Sequence, residues 1–143
     1  MNIRLLKKED YFDSILEILN QLSNVNLETT FEEFSNWIEM LPSNHYIFVV
    51  LVNDKVAGLA TLLLEHKIIH TFGKVGHIED VVISKEHRGK GIGKFLIKHL
   101  LHVAEKDFNV YKVILNCSES NIPFYENCGL VHHQQQMVKY FRD

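Results

Sequence analysis

Cysteine, proline and long apolar runs are scarce in this chain, and each scarcity removes a class of protein. Only Cys117 and Cys128 stand among its 143 residues. Two thiols make no disulfide framework, so they read as reduced, buried side chains and exclude a small secreted scaffold. The two prolines, Pro42 and Pro123, leave no proline-rich linker, and no repeat or low-complexity tract is present. Apolar stretches are strand-sized, too short to cross a bilayer. Arg4, Lys7, Lys8, Glu9 and Asp10 interrupt any signal-peptide pattern, so a cytoplasmic location is expected. A large charge excess is missing too: 15 Lys and Arg against 18 Asp and Glu give a net charge of −3. A general nucleic-acid binder needs a basic face, which this balance argues against.

What is present reads as one mixed α/β domain over residues 1–143, with 46% hydrophobic and 23% charged residues. Ile3 to Leu5 predicts a short strand. Asp10 is placed as N-cap of a helix from Tyr11 to about Leu22, with Phe12, Ile15, Leu16, Leu19 and Leu22 on one face. Thr30 and Glu33 form a capping-box signature for a second helix that Pro42 ends. Tyr46 to Val52 and Val56 to Leu64 predict a hairpin turning at Asn53-Asp54-Lys55, its second strand central in a sheet. A turn marked by Gly73 and Gly76 leads into a strand, Ile78 to Ile83, holding Glu79 and Asp80. Alternation along a strand would send those two acids to opposite faces. Ile92, Phe95, Leu96, Leu100, Val103 and Ala104 predict the core stripe of a long helix. Val110 to Cys117 predicts a buried strand. Asn121 and Pro123 start a short helix closed by Gly129, and Gln136 to Phe141 predicts a last strand.

Between the strand at Ile83 and the helix at Ile92 lie three of the seven glycines, Gly89, Gly91 and Gly93. Glycines let backbone approach a ligand, and the first N–H groups of a helix lack internal partners. Such a terminus favours anions, phosphate above all. Lys85, Arg88, Lys90, Lys94 and Lys98 reinforce it against the single acid Glu86. A P-loop would need glycine at Arg88 and a hydroxyl at Phe95, so that spacing fails. Gly89-x-Gly91-x-Gly93 also misses the dinucleotide fingerprint G-x-G-x-x-G.

The pattern that fits is R-x-x-G-x-G, Arg88-Gly89-Lys90-Gly91-Ile92-Gly93. With it goes Asn121-Ile122-Pro123-Phe124-Tyr125-Glu126-Asn127-Cys128-Gly129-Leu130, an N-x-x-x-Y-x-x-x-G-L segment. In both, the chain resembles the GNAT acetyltransferase superfamily, which implies a GNAT fold with a central mixed sheet flanked by helices, and acetyl-CoA as co-substrate. Lys67-Ile68-Ile69-His70, Gly76-His77-Ile78-Glu79-Asp80-Val81-Val82, Tyr111-Lys112-Val113-Ile114-Leu115 and Phe124-Tyr125-Glu126-Asn127-Cys128-Gly129 are similar to the glucosamine 6-phosphate N-acetyltransferase group within it. That similarity covers roughly residues 67 to 141 well and the N-terminal third weakly. It implies acetyl transfer to an amino-sugar phosphate in a ternary complex, and a homodimer that shares the substrate site.

The resemblance distributes roles. Residues 89–94 (Gly89, Lys90, Gly91, Ile92, Gly93 and Lys94) would give backbone donors to the pyrophosphate, with Arg88, Lys90 and Lys94 as charge partners. Val81, Val82 and Ile83 would hydrogen-bond the pantetheine arm, and an N–H there would polarise the thioester carbonyl. Tyr125 is the candidate general acid, since a phenol of pKa about 10 suits a thiolate leaving group. Asn121 matches a CoA-contacting asparagine. Glu79 and Asp80 would bind the sugar, and either would take the amine proton. Lys67, Ile68, Ile69 and His70 form the candidate sugar-phosphate loop. Ser23 aligns with a substrate-contacting threonine. Asn116 stands where the group carries an acid reaching the partner's sugar, and Lys139 stands near an expected arginine. Those departures leave open another small amine, a peptide N-terminus, or a CoA-binding module without turnover.

Nine histidines invite a metal reading. His66 and His70 flank a strand-like segment, and His132 and His133 would diverge on a strand. Without a His-Glu-x-x-His or Cys-x-x-Cys spacing, no metal site is expected.

Overall fold

The hydrophobic middle of the chain folds into a mixed sheet. In a computed structural model, which describes residues 1–142, the strands are β1 (Asn2–Leu5), β2 (His45–Val52), β3 (Lys55–His66), β4 (Lys74–Ile83) and β5 (Lys112–Ile114). They lie in the order β1-β2-β3-β4-β5. The first four are antiparallel to their neighbours, while β5 runs parallel to β4. Asp143, the last residue of the predicted domain, lies outside the described residues. The β2–β3 hairpin turns on Asn53 and Asp54, with φ of 51° and 63°. Both residue types tolerate left-handed backbone, which a two-residue turn requires.

Both faces of the sheet are covered. Phe48, Val50, Ala60, Leu62, Leu64 and Ile78 face helix α4 (Ile92–Lys106), and Ile47, Val49, Leu51, Leu59 and Val82 face α1 (Ile15–Asn20) and α2 (Phe31–Glu39). The period of two along β2 thus divides its side chains between two cores. Helix α2 starts with the predicted capping box: Glu33 N–H donates to Thr30 Oγ1 at 3.1 Å and Thr30 N–H to Glu33 Oε2 at 2.9 Å. In α4 the buried stripe is Ile92, Leu96, Ile97, Leu100, Val103 and Ala104. Phe95, predicted in that stripe, is 40% exposed.

The single helix predicted from Tyr11 to Leu22 is split. Asp10 caps nothing there: its buried carboxylate accepts from both Arg4 Nη atoms at 2.8 and 2.9 Å and from Lys7 N–H at 2.9 Å. Residues Lys8–Phe12 follow as a 3₁₀ turn. Asp13 then accepts from Val56 N–H at 2.8 Å, and Ser14, at φ 59°, turns left-handed before α1 begins. Burial alone would raise the Asp10 carboxyl. The Arg4 guanidinium and Lys7 N–H outweigh it and hold Asp10 below the ordinary aspartate value.

Four further predictions change at the other end of the sheet. The turn after Lys67 is the distorted α3 (Ile69–Phe72), with His70, Thr71 and Phe72 all at positive φ, closed by Lys67 N–H to Gly73 O at 2.8 Å. Gly76 lies inside β4, which begins earlier than predicted. A Cβ on Gly76 would come within 3.2 Å of Leu62 Cδ1, so this glycine serves packing. The strand predicted from Val110 to Cys117 pairs only at Lys112–Ile114, with Val75, Gly76 and His77. Beyond Ile114 the chain swings away, and β4 from Ile78 onward has no strand on that side among the described residues. Helix α5 (Ile122–Glu126) is closed at Gly129, φ 101°, by Leu130 N–H to Tyr125 O and Gly129 N–H to Glu126 O, at 3.1 and 3.0 Å. The predicted last strand, Gln136 to Phe141, does not form. A strand exists only by pairing, and no ladder among the described residues reaches this segment, where Met137 is 93% exposed and Phe141 89%.

Candidate active site

Two adjoining cavities open where β4 and the chain after β5 diverge. The larger, about 640 Å³, has the β4 edge residues Val81, Val82 and Ile83 on one side and Asn121, Phe124, Tyr125 and Asn127 on the other. Arg88, Gly89, Gly91, Ile92, Gly93 and Lys94 close one end, with Gln21, Leu22 and His87. Lys90 belongs to the same loop but is exposed and lies outside the lining.

The glycines of this loop do two different jobs. Gly89 and Gly91 have φ of 77° and 81°, which only glycine adopts without strain, and a Cβ on either would meet nothing within 4 Å. Gly93 sits inside the first turn of α4, where a Cβ would lie 3.2 Å from Phe124 Cζ. That glycine brings α4 and α5 together. With Gly91 as N-cap, the first intrahelical acceptor is used by Phe95 N–H to Gly91 O at 3.0 Å. The N–H groups of Ile92, Gly93 and Lys94 have no partner among the described residues, the free donors of a helix start. Arg88 is braced rather than loose: Nε donates to Ile83 O at 2.9 Å. His87 Nδ1 is buried with no hydrogen-bond partner.

The second cavity, about 350 Å³, is lined by Ser23, Ile78, Glu79, Asp80, Leu115, Asn116 and Cys117, and shares Leu22, Val81, Asn121 and Tyr125 with the first. Glu79 and Asp80 do not diverge as strand alternation would have it. Leu59 pairs with Val82 and Thr61 with Glu79, so Ala60 alone faces Asp80 and Val81. That is a β-bulge, with Asp80 at φ 52°. The extra residue cancels one alternation and leaves both acids lining one cavity. Cys117, expected to be buried, is exposed here, whereas Cys128 is buried as expected.

Tyr125 stands on the shared wall, with the Phe124 ring 4.9 Å away edge-on. Burial, aided by the neighbouring thiols of Cys117 and Cys128, pushes its phenol above the ordinary tyrosine value. Asn121 makes no side-chain bond to cap α5, so its amide is not consumed there. Among the described residues no three His, Cys, Asp or Glu side chains converge as metal ligands.

Other predicted site residues lie outside both cavities. Lys67 pairs with Glu65 at 2.9 Å, and Glu65 also meets His77 Nε2 at 2.8 Å. That pairing raises the Lys67 amine and lowers the Glu65 carboxyl. His70 stacks on Tyr111 at 4.3 Å between ring centres. Ile68 and Ile69 are exposed, and Lys139 sits 5.9 Å from the Phe141 ring in the exposed tail. Sequence reasoning passed over Gln21, Leu22, His87, Phe124, Asn127, Leu115 and Cys117. Phe124, Asn127 and Cys117 adjoin motif residues. Gln21 and Leu22 carry no signal, because their contacts to this site are set by the fold.

Residues 12–130 match the acetyltransferase (GNAT) family. The chain belongs to the GNAT acetyltransferases. Among its relatives, the glucosamine 6-phosphate N-acetyltransferase of Candida albicans is 39% identical over 138 residues, 94% of this chain and 92% of the relative. The enzyme of the same name from Arabidopsis thaliana is 39% identical over 144 residues, 97% of this chain and 95% of the relative. The crystal structure of glucosamine-6-phosphate N-acetyltransferase from Arabidopsis thaliana superposes with a TM-score of 0.91, at 38% identity, over 99% of this chain and 98% of that one. The mixed sheet with helices on both faces is therefore the GNAT fold, and β4 and the chain after β5 bound the two cavities.

Proposed function

We propose that this GNAT protein transfers the acetyl group of acetyl-CoA to the amine of glucosamine 6-phosphate in a ternary complex, giving N-acetylglucosamine 6-phosphate and CoA. The observation that carries this is the meeting of a phosphate-seeking cleft and an acid-lined cavity at one tyrosine, in a chain whose relatives bear that enzyme's name. In this reading the free N–H groups at the start of α4 bind the pyrophosphate, with Arg88, Lys90 and Lys94 balancing its charge. Val81, Val82 and Ile83 offer the β4 edge to the pantetheine arm, and Asn121 its amide. The neutral amine attacks the thioester carbonyl, a backbone N–H of the bulged strand stabilises the oxyanion, and the C–S bond breaks. Tyr125 protonates the departing thiolate. The ammonium proton leaves to Glu79 or Asp80, directly or through water.

Ser23, Asn116, Glu79 and Asp80 would hold the sugar. The cavity has no cation of its own for a 6-phosphate. In the proposed homodimer a second copy supplies Lys67 and His70, with Ile68 and Ile69 in the contact, and Lys139 follows from the tail. The support is exposure: Ile68 is 84% exposed, Phe72 77%, Val131 81% and Tyr140 81%, apolar surface that a second copy would cover. Residues 1–143 act as one domain in this account, in the cytoplasm.

The test is release of CoA thiol from acetyl-CoA with glucosamine 6-phosphate, glucosamine, spermidine or a peptide as acceptor. Turnover with the phosphosugar above the others is expected. Turnover only with another amine would sink the assignment of the acceptor, and acetyl-CoA binding without any turnover would make the chain a binding module.

A further inference from the structure

The two cavities share a wall at the end of α1, and one side chain ties that end to the donor loop. Gln21 follows α1 directly. Its Oε1 accepts from Lys85 N–H at 2.9 Å and lies 3.5 Å from Arg88 Nη2, partners 64 and 67 residues away. Arg88 continues the chain of contacts through Nε to Ile83 O at 2.9 Å. One amide oxygen thus connects α1 to the start of the glycine loop and to the last residue of β4. An amide oxygen has two lone pairs, so both bonds are compatible. The contact to Arg88 is at the outer limit of a hydrogen bond and has room to tighten.

Next to Gln21 stands the acceptor wall, whose Leu22 and Ser23 N–H groups donate to Leu19 O at 2.9 and 3.1 Å and whose onward chain has no such tie to α1 among the described residues. Leu22, the next residue, lines both cavities, and Ser23 lines the second. From residue 22 to 28 only Val25 is even half-buried, so little packing fixes this stretch. We propose that Gln21 is a positioning residue that couples the cavities: an anion engaging Arg88 and the loop fixes Gln21, and thereby Leu22 and Ser23, before the amine binds. The inference rests on the cleft being the acetyl-CoA site. Linkage requires the effect to run both ways, so a bound amine tightens donor binding by the same factor.

The test uses CoA alone, which separates it from the identity of the acceptor. In the wild-type protein CoA is expected to slow amide hydrogen exchange across residues 22–28 by about tenfold. Gln21→Ala is expected to bind CoA and keep its melting temperature within about 3 °C, as a surface change does, yet lose that slowing. Gln21→Glu retains an acceptor oxygen at the same reach and is expected to restore it. Equal slowing in wild type and Gln21→Ala overturns the coupling while leaving the proposed function intact. Failure of wild type to bind CoA overturns both.

Discussion

The glycine-loop cleft and the cavity beside it are built from different materials. The first presents main-chain donors: two glycines at positive φ, three free N–H groups and a strand edge, all but the edge within residues 88–94. The second is mostly side chain, with Ser23, Glu79, Asp80, Asn116 and Cys117 brought from three separate stretches of sequence. A backbone cradle recognises a group that never changes, a diphosphate on the proposed function, and tolerates variation in side chains around it. A cavity of side chains can be re-specified one residue at a time. On the proposed function, acceptor choice is the property that a change at Asn116 would alter without loss of the donor.

The largest effect is expected where the two meet. Tyr125→Phe should lower kcat by about 10²–10³-fold, the ordinary worth of a general acid, while both KM values move by less than about threefold. An unchanged kcat would mean the shared wall carries no chemistry. The raised phenol stays protonated in alkaline solution, so wild-type kcat should show no decline attributable to Tyr125 below about pH 10. Next comes the acid-lined side: Asp80→Asn should reduce kcat/KM for the amine by roughly 30- to 100-fold, as loss of a charge-assisted hydrogen bond does, with CoA affinity unchanged in a calorimeter. On the main-chain side, Gly91→Ala forces a side chain into left-handed backbone at about 1–2 kcal/mol. It should weaken acetyl-CoA binding by roughly tenfold and leave the amine KM alone. An equal change in both constants for either variant would dissolve the distinction between the cavities.

The smallest catalytic effect is expected from Arg4→Ala, which touches neither cavity but strands the buried Asp10 carboxylate. Stability at neutral pH should fall by about 3 kcal/mol in urea titrations, with both KM values unchanged. Asp10 is depressed in the fold, so the wild-type advantage is complete above the ordinary aspartate pKa of about 3.9 and vanishes as pH falls through the lower folded value. An advantage that persists undiminished below about pH 2 would show that charge is not its source.

The same division decides what the sequence made legible. The positive-φ glycines before α4, the Thr30 and Glu33 capping box and the Asn53-Asp54 turn are contiguous, and each depends on local backbone chemistry, so all are readable. Alternation sends Glu79 and Asp80 to opposite faces, whereas both line one cavity, because a bulge is a property of pairing with Ala60 that no single strand announces. Asp10 looked like a helix cap until Arg4 and Lys7 claimed its oxygens. The strand expected from Val110 to Cys117 pairs only at Lys112–Ile114, because how far it stays beside β4 depends on both strands and not on its own composition. Gln21 was invisible, since its partners at Lys85 and Arg88 meet it only in the fold. The segment from Gln136 to Phe141 has the composition of a strand, and no strand among the described residues pairs with it.

The bulge at Asp80 also sets a limit on improving this protein. Deleting Val81 would let each residue of β3 face one of β4 and repair the ladder. The repaired sheet would regain regular hydrogen bonding and lose the left-handed residue, so selection for thermal tolerance alone would favour it. It would also send the two acids to opposite faces again. A screen for hardiness would then return folded proteins with no acceptor site, and activity has to be selected together with stability.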